Sequence, residues 1–83
     1  MKNHHLKSIS KHFNQLGENK RNAEVRYCDR NYQIGDGITF HECHNGMFLG
    51  NTKTARIKYL DDFGCQYGYI NISLGDFGCL IVE

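Results

Sequence analysis

The 83-residue chain contains no proline and no tryptophan. Without proline, its turns depend on glycine, asparagine and aspartate, and nine glycines are present. No stretch approaches the roughly 18 consecutive apolar residues of a membrane-spanning helix. No apolar segment follows the polar N-terminus, as it would in a secretory signal. These absences predict a cytoplasmic protein that has no membrane partner.

Metal-binding cysteine motifs are also missing. The four cysteines stand at positions 28, 43, 65 and 79, and no two of them have C-x-x-C spacing, so reduced thiols are expected. The run His41-Glu42-Cys43-His44 comes nearest to a metal cluster, but a strand would separate His44 from the face shared by His41 and Cys43. We interpret the run as polar residues at a hairpin tip and expect no metal and no cofactor.

The excess of positive charge is small. A net charge of +1 does not indicate attraction to nucleic acid over the whole surface, so any phosphate contact would be local. The composition, 40% hydrophobic and 23% charged, is typical of a folded protein. The length fits a single domain with one core over residues 1–83, and we expect a monomer.

The N-terminal part predicts one strand and one short helix. Residues 4–8 alternate as a strand, and both His4 and His5 are expected to be exposed unless this strand places one of them over a binding cleft. Ser10 is a candidate N-cap, and Gly17 suits the end of a helix of about two turns. The apolar face of this helix would carry residues at the i, i+4 and i+7 positions, namely Ile9, Phe13 and Leu16.

The remainder of the chain predicts short β-strands. Val25 and Tyr27 alternate with Glu24 and Arg26, which suggests a strand whose tyrosine and valine face the core. Asn45-Gly46 predicts a tight hairpin. Further alternating or apolar runs comprise Ile38/Phe40, Ala55/Ile57/Tyr59, Ile70/Ile72/Leu74 and residues 79–82. One helix and five to six strands predict an α+β domain, and closure into a small β-barrel would remove exposed strand edges.

Basic residues are concentrated just before and within the strand that contains Arg26. Arginine can hold phosphate through two hydrogen bonds or stack on a base, and a carboxylate such as Glu24 can accept from a base amino group. The alternative is a solvated strand face with ordinary ion pairs. The candidate ligand-binding residues are Lys20, Arg21, Glu24, Arg26 and Arg30.

The segment that follows, residues 29–36, is rich in turn formers. Tyr32 and Ile34 suit apolar plugs that anchor a loop, so an architectural role is at least as well supported as binding. No G-x-S-x-G elbow and no phosphate loop are present. Cys28 lies near arginines but has no histidine partner in the sequence, so no catalytic residue is assigned.

The chain contains the segments His5-Leu6-Lys7, Glu24-Val25-Arg26, Asp29-Arg30, Tyr32, Gly35-Asp36 and Gly68-Tyr69-Ile70. Together these segments resemble the DUF3850 family of small prokaryotic and phage proteins, which belongs to the ASCH/PUA-like superfamily. The resemblance covers nearly the whole chain and is most specific between Glu24 and Asp36. It implies a PUA-like β-barrel with a cleft at its mouth and a role in recognising RNA or a modified nucleotide.

Some ASCH relatives are amidohydrolases that act on acylated cytidine and use a lysine in a G-x-K-T-type motif. Here Arg21 takes the lysine position and Asn19 the glycine position. Arginine stays protonated and cannot act as a general base, so the sequence favours recognition over hydrolysis. Residues expected to support ligand binding are His5, Lys7, Tyr27 and Asp29.

Three functions therefore stay open. The leading hypothesis is a module that binds RNA or a modified nucleotide. The second is an amidohydrolase acting on an acylated nucleoside such as N4-acetylcytidine. The third is a protein-interaction module of a phage or mobile element.

Overall fold

The computed structural model describes residues 1–81, which contain five strands and one short helix. In chain order, the elements are β1 (Asn3–Ile9), α1 (Ser10–Phe13), β2 (Ala23–Tyr27), β3 (Gly37–His44), β4 (Met47–Asp61) and β5 (Tyr69–Gly75).

All five strands belong to one sheet, in the order β1-β3-β4-β5-β2. β1 runs parallel to β3, and every other neighbouring pair is antiparallel. This mixed sheet with one helix confirms the α+β class. The predicted closure into a barrel is wrong, because no ladder joins the edge strands β1 and β2 within residues 1–81. β2 is only five residues long, and arginine side chains contact the free edge of β1 instead.

The core lies on one face of the sheet, where alternate side chains of four strands meet. Phe40, Ile38, Ile57 and Ile72 are the largest side chains that are completely buried. Ile38 and Phe40 on β3, Ala55 and Ile57 on β4, and Ile72 and Leu74 on β5 confirm the alternation expected from the sequence.

The helix is shorter than predicted and ends at Phe13. Ile9 closes β1 with an exposed side chain, and the Ser10 side chain makes no capping bond. After the helix, the N–H groups of Gln15 and Leu16 donate to the carbonyls three residues earlier in the chain. The Lys53 ammonium donates to the carbonyls of Phe13 and Leu16, at 2.7 and 3.2 Å, which satisfies groups that a longer helix would use. Phe13 and Leu16 are buried as expected.

The orientation of β2 is the reverse of the prediction. Glu24 is buried and Arg26 is half-buried, whereas Val25 and Tyr27 are 56% and 59% exposed. Glu24 lies opposite Ile72 of β5 in the ladder, and Ile72 is part of the core. An edge strand has a covered neighbour on one side only, so its apolar side chains need not face the core.

The Asn45-Gly46 hairpin is confirmed, with φ of 50° and 78° at the two turn residues. Two predicted core positions are wrong. A register shift between Ile57 and Tyr59 interrupts the alternation of β4, so Tyr59 is exposed. Ile34 is also exposed, whereas Tyr32 is buried as predicted. Residues 79–81 form no strand, and Val82 lies outside the described residues.

Candidate functional site

A groove with a volume of about 370 Å³ lies between the two edge strands, β1 and β2. The end of β1 and the helix form one wall, and β2 with the residues just before it forms the other. Three cationic side chains and one carboxylate meet there. The lining residues are Lys7, Ser8, Ile9, His12, Arg21, Glu24, Val25, Arg26 and Tyr27.

Two arginines connect the separated edges. An Arg26 Nη2 group donates to the Lys7 carbonyl at 2.7 Å, and an Arg30 Nη1 group donates to the His5 carbonyl at 3.4 Å. These carbonyls are two residues apart on β1, so they lie along the same free edge of the strand. The side chains thus satisfy acceptors that a neighbouring strand would otherwise pair. Arg26 keeps further N–H donors for a ligand.

Glu24 is the least exposed charged residue of the groove, with 7% of its surface exposed. Its nearest ionic partner is Arg26, whose Nε lies 3.6 Å from Oε2. Within residues 1–81, no hydrogen bond to the Glu24 carboxylate is formed. The carboxylate oxygens still reach solvent through the groove, so an incoming N–H donor can approach them there. Glu24 can therefore accept a hydrogen bond from a ligand inside the groove.

The structure brings three of the five predicted ligand residues together in the groove, namely Arg21, Glu24 and Arg26. The Arg21 Nε donates to the Ala23 carbonyl at 3.3 Å, at the start of β2. Arg30 does not line the groove, but it contacts the edge of β1 at His5. Lys20 does not line the groove, and its aliphatic chain lies against Gly17.

Two of the four predicted supporting residues line the groove and two do not. Lys7 and Tyr27 line the groove, and Lys7 also lines a neighbouring pocket. Asp29 forms an exposed ion pair with Arg30 at 3.3 Å. His5 lies in the neighbouring pocket with its Nδ1 2.9 Å from Nε2 of His41.

Sequence reasoning missed His12 as a groove residue. It precedes Phe13 in the helix and lines the groove beside β1. The available signal was a polar residue next to the buried helical position Phe13.

His4 corrects the expectation that both N-terminal histidines are exposed. It is buried, and its Nε2 donates to Asp36 Oδ2 at 2.8 Å. The backbone N–H groups of Lys2 and Gln33 donate to the same carboxylate, each at 3.1 Å. Burial alone would raise the pKa of Asp36, but these hydrogen bonds outweigh it and hold the pKa below its ordinary value. This pair anchors β1 to the turn before β3.

Metal ligands do not converge in the described part of the chain, where no three histidine, cysteine or acidic side chains could hold an ion together. Glu42, within the histidine-cysteine run, is buried and accepts from Asn51 at 2.9 Å. All four cysteines lie within the described residues and are free thiols. The helix of residues 1–81 is too short to cross a membrane.

Comparison with known proteins gives a family and one curated relative. The model of DUF3850, a domain of unknown function, matches residues 3–74. An uncharacterized 12.9 kDa protein in the GpA 3′ region of Escherichia phage P2 is 41% identical over 59 residues. The match covers 71% of this chain and 54% of that protein, so the chain spans about half the length of the curated relative.

Proposed function

The chain belongs to the DUF3850 family, and we propose that it binds a nucleotide unit of RNA or a modified nucleoside in the groove between β1 and β2. The proposal also assigns the five-stranded sheet to the PUA-like folds of the ASCH/PUA-like superfamily. In this view the groove corresponds to the cleft at the mouth of a PUA-like barrel.

One observation carries the proposal. The buried Glu24 carboxylate lies without a hydrogen bond beside the cations Lys7, Arg21 and Arg26. A nucleotide offers the matching chemistry, since its phosphate is anionic and its base edge carries N–H donors. The volume of about 370 Å³ is within the usual range of small-ligand sites, about 300–1,000 Å³.

The charges separate the two parts of such a ligand. Arg21 and Arg26 suit the phosphate, because guanidinium groups bind phosphate oxygens in pairs. Glu24 would repel a phosphate and instead accept from an exocyclic amino group or a ring N–H. Bases with an exocyclic amino group, such as cytosine and guanine, are therefore favoured over uracil, whose ring N–H lies between two carbonyls that the carboxylate would repel.

Binding of a fluorescently labelled cytidine- and guanosine-containing RNA, measured by anisotropy at two salt concentrations, tests the proposal. We expect Arg26→Ala to weaken binding by about tenfold, because a charge-assisted phosphate contact is lost, and to reduce the salt dependence. Equal and negligible binding by the wild type and Arg26→Ala would overturn the proposal.

Arg56 offers a matched control. It also donates to a backbone carbonyl, that of Gly35 at 3.1 Å, but it does not line the groove. Arg56→Ala removes the same charge and a comparable hydrogen bond. Its affinity for RNA should therefore stay within about twofold of the wild type, since distant charges are screened by salt. Thermal unfolding of both variants separates lost stability from lost binding.

Hydrolysis of an acylated nucleoside is favoured by one observation only, that an amine, Lys7, and a carboxylate, Glu24, line the same groove. The Lys7 ammonium lies 5.7 Å from the centre of the Phe48 ring, in the neighbouring pocket. Incubation with N4-acetylcytidine and chromatography of the products decide this alternative. Release of acetate and cytidine that is lost in Lys7→Met would support it, and unchanged substrate would remove it.

A further inference from the structure

A cluster of exposed tyrosines begins where the groove ends. Tyr27 lines the groove and belongs to β2, and its partner across the ladder is Tyr69 of β5. Tyr69 lines a second pocket of about 530 Å³ together with the fully exposed Tyr67. We call Tyr27, Tyr67 and Tyr69 the tyrosine platform.

The Tyr27 ring is held in place. It meets the Tyr69 ring edge to face, with 5.5 Å between the centroids. Its other neighbour is Gly68, where a Cβ atom would come within 3.0 Å of the ring, and Gly68 has a φ of +85°. The Cys28 N–H donates to the Gly68 carbonyl at 2.7 Å and fixes this loop to the end of β2. A pre-positioned ring loses little conformational freedom when it stacks on a ligand.

The charges of the two pockets differ. Three cations line the groove, whereas the pocket beside the platform has no lysine or arginine among its lining residues and includes Asp62. A nucleic-acid phosphate is therefore favoured in the groove and disfavoured on the platform. The platform can instead accept the uncharged bases of a nucleic-acid strand.

We propose that the groove and the tyrosine platform together bind a short single strand of nucleic acid. One nucleotide occupies the groove, with its phosphate at Arg21 and Arg26, and the next bases stack on the platform. This inference rests on the proposed function of the groove and extends it from a single nucleotide to a strand.

The platform differs from another exposed apolar surface, the hairpin tip. The tip carries Met47, Phe48 and Leu49, so only one of its three side chains is aromatic. The platform offers three aromatic faces with hydroxyl groups and is continuous with the cationic groove through Tyr27. Sequence-tolerant stacking on aromatic rings beside a basic groove is the usual mode of single-strand binding.

Affinity as a function of strand length tests the inference. Competition anisotropy would compare cytidine 5′-monophosphate with oligocytidylates of two, three and four nucleotides, in ribose and deoxyribose forms. We expect a gain of about tenfold for each of the first one or two added bases and a plateau afterwards. Equal gains for both sugars identify single strands in general as the ligand, and a gain for ribose alone identifies RNA.

Tyr67→Ala should remove most of the length-dependent gain and leave the monophosphate affinity unchanged, and Tyr69→Ala should also remove most of that gain. Tyr67 is fully exposed, so its loss cannot unfold the protein. Tyr59→Ala is the matched control, because Tyr59 is 58% exposed and lines neither pocket.

Monophosphate binding without any gain from length, or gains that survive both platform substitutions, would overturn the inference and leave the groove proposal intact. If neither the monophosphate nor any strand binds, both proposals fail together. Strand binding that Tyr59→Ala weakens as much as Tyr67→Ala also contradicts the platform.

Discussion

Two of the buried carboxylates, Asp36 and Glu24, differ in the number of hydrogen bonds that they accept. Asp36, before β3, is 3% exposed and accepts three hydrogen bonds, from His4, Lys2 and Gln33. Glu24, on β2, is 7% exposed and has only Arg26 nearby, at 3.6 Å. The first carboxylate joins the parallel pair β1 and β3, and the second faces an open groove.

The difference separates a carboxylate that stabilises the fold from one that is open to a ligand. A buried acceptor that is fully hydrogen-bonded stabilises the structure, because its lost hydration is replaced. The Glu24 carboxylate has fewer protein partners and stays open to the groove, so a ligand can supply the hydrogen-bond donor that the protein does not. On this basis Asp36 is structural and Glu24 is the candidate for recognition.

The largest effect should come from the core residue directly opposite Glu24. Ile72→Ala removes a completely buried side chain and should lower the free energy of unfolding by about 3 kcal/mol. Val25→Ala, on the outward face of β2, should change it by less than about 0.5 kcal/mol. Urea denaturation measures both. Similar losses in the two variants would mean that β2 does not turn its charged side chains inward.

Asp36→Asn should have the next largest effect. The substitution keeps the size of the side chain but removes the charge that three donors share, so we expect a loss of roughly 2 kcal/mol. Asp29→Asn is the control, because Asp29 forms only an exposed pair with Arg30 and should lose no more than about 0.5 kcal/mol. Equal losses in urea denaturation would contradict an anchoring role for Asp36.

The contribution of Asp36 should also depend on pH in a defined direction. Its pKa in the folded protein lies below its value in the unfolded chain, so the unfolded chain takes up the proton first as the pH falls. The advantage of the wild type over Asp36→Asn should therefore be constant above about pH 5 and decline as the pH falls through the unfolded and then the folded pKa. Urea denaturation from pH 7 to pH 3 measures this difference. A difference that stays constant down to pH 3 would show that the Asp36 charge contributes nothing.

The sequence predicted the core better than the site, for physical reasons. Ile38, Phe40, Ile57 and Ile72 could be placed because central strands bury one face and alternate in a simple way. The same rule failed for β2, since an edge strand is covered on one side only and its groove can accept charged residues on the inner face. Alternation gives two faces but does not say which one is buried.

Long-range contacts explain the remaining errors. The burial of His4 depends on Asp36, 32 positions away, and the register shift that exposes Tyr59 depends on pairing with β5. The predicted barrel failed because side chains of Arg26 and Arg30, rather than a ladder, meet the edge of β1. Neither pattern nor spacing contains this information. The basic residues around Glu24 did signal the groove, although Lys20 lies outside it.

Glu24→Gln should have the smallest effect on stability and the clearest effect on binding. Glutamine keeps the shape of the side chain and relieves a buried charge that lacks a hydrogen bond, so the free energy of unfolding should change by less than about 0.5 kcal/mol. The glutamine amide still offers an acceptor oxygen but loses the charge that strengthens a hydrogen bond from a base, so affinity for the cytidine-containing RNA should fall by about tenfold. Parallel urea denaturation and anisotropy separate the two effects. A variant that is destabilised as strongly as Asp36→Asn while binding RNA normally would make Glu24 a structural acceptor like Asp36, and the contrast between the two carboxylates would no longer hold.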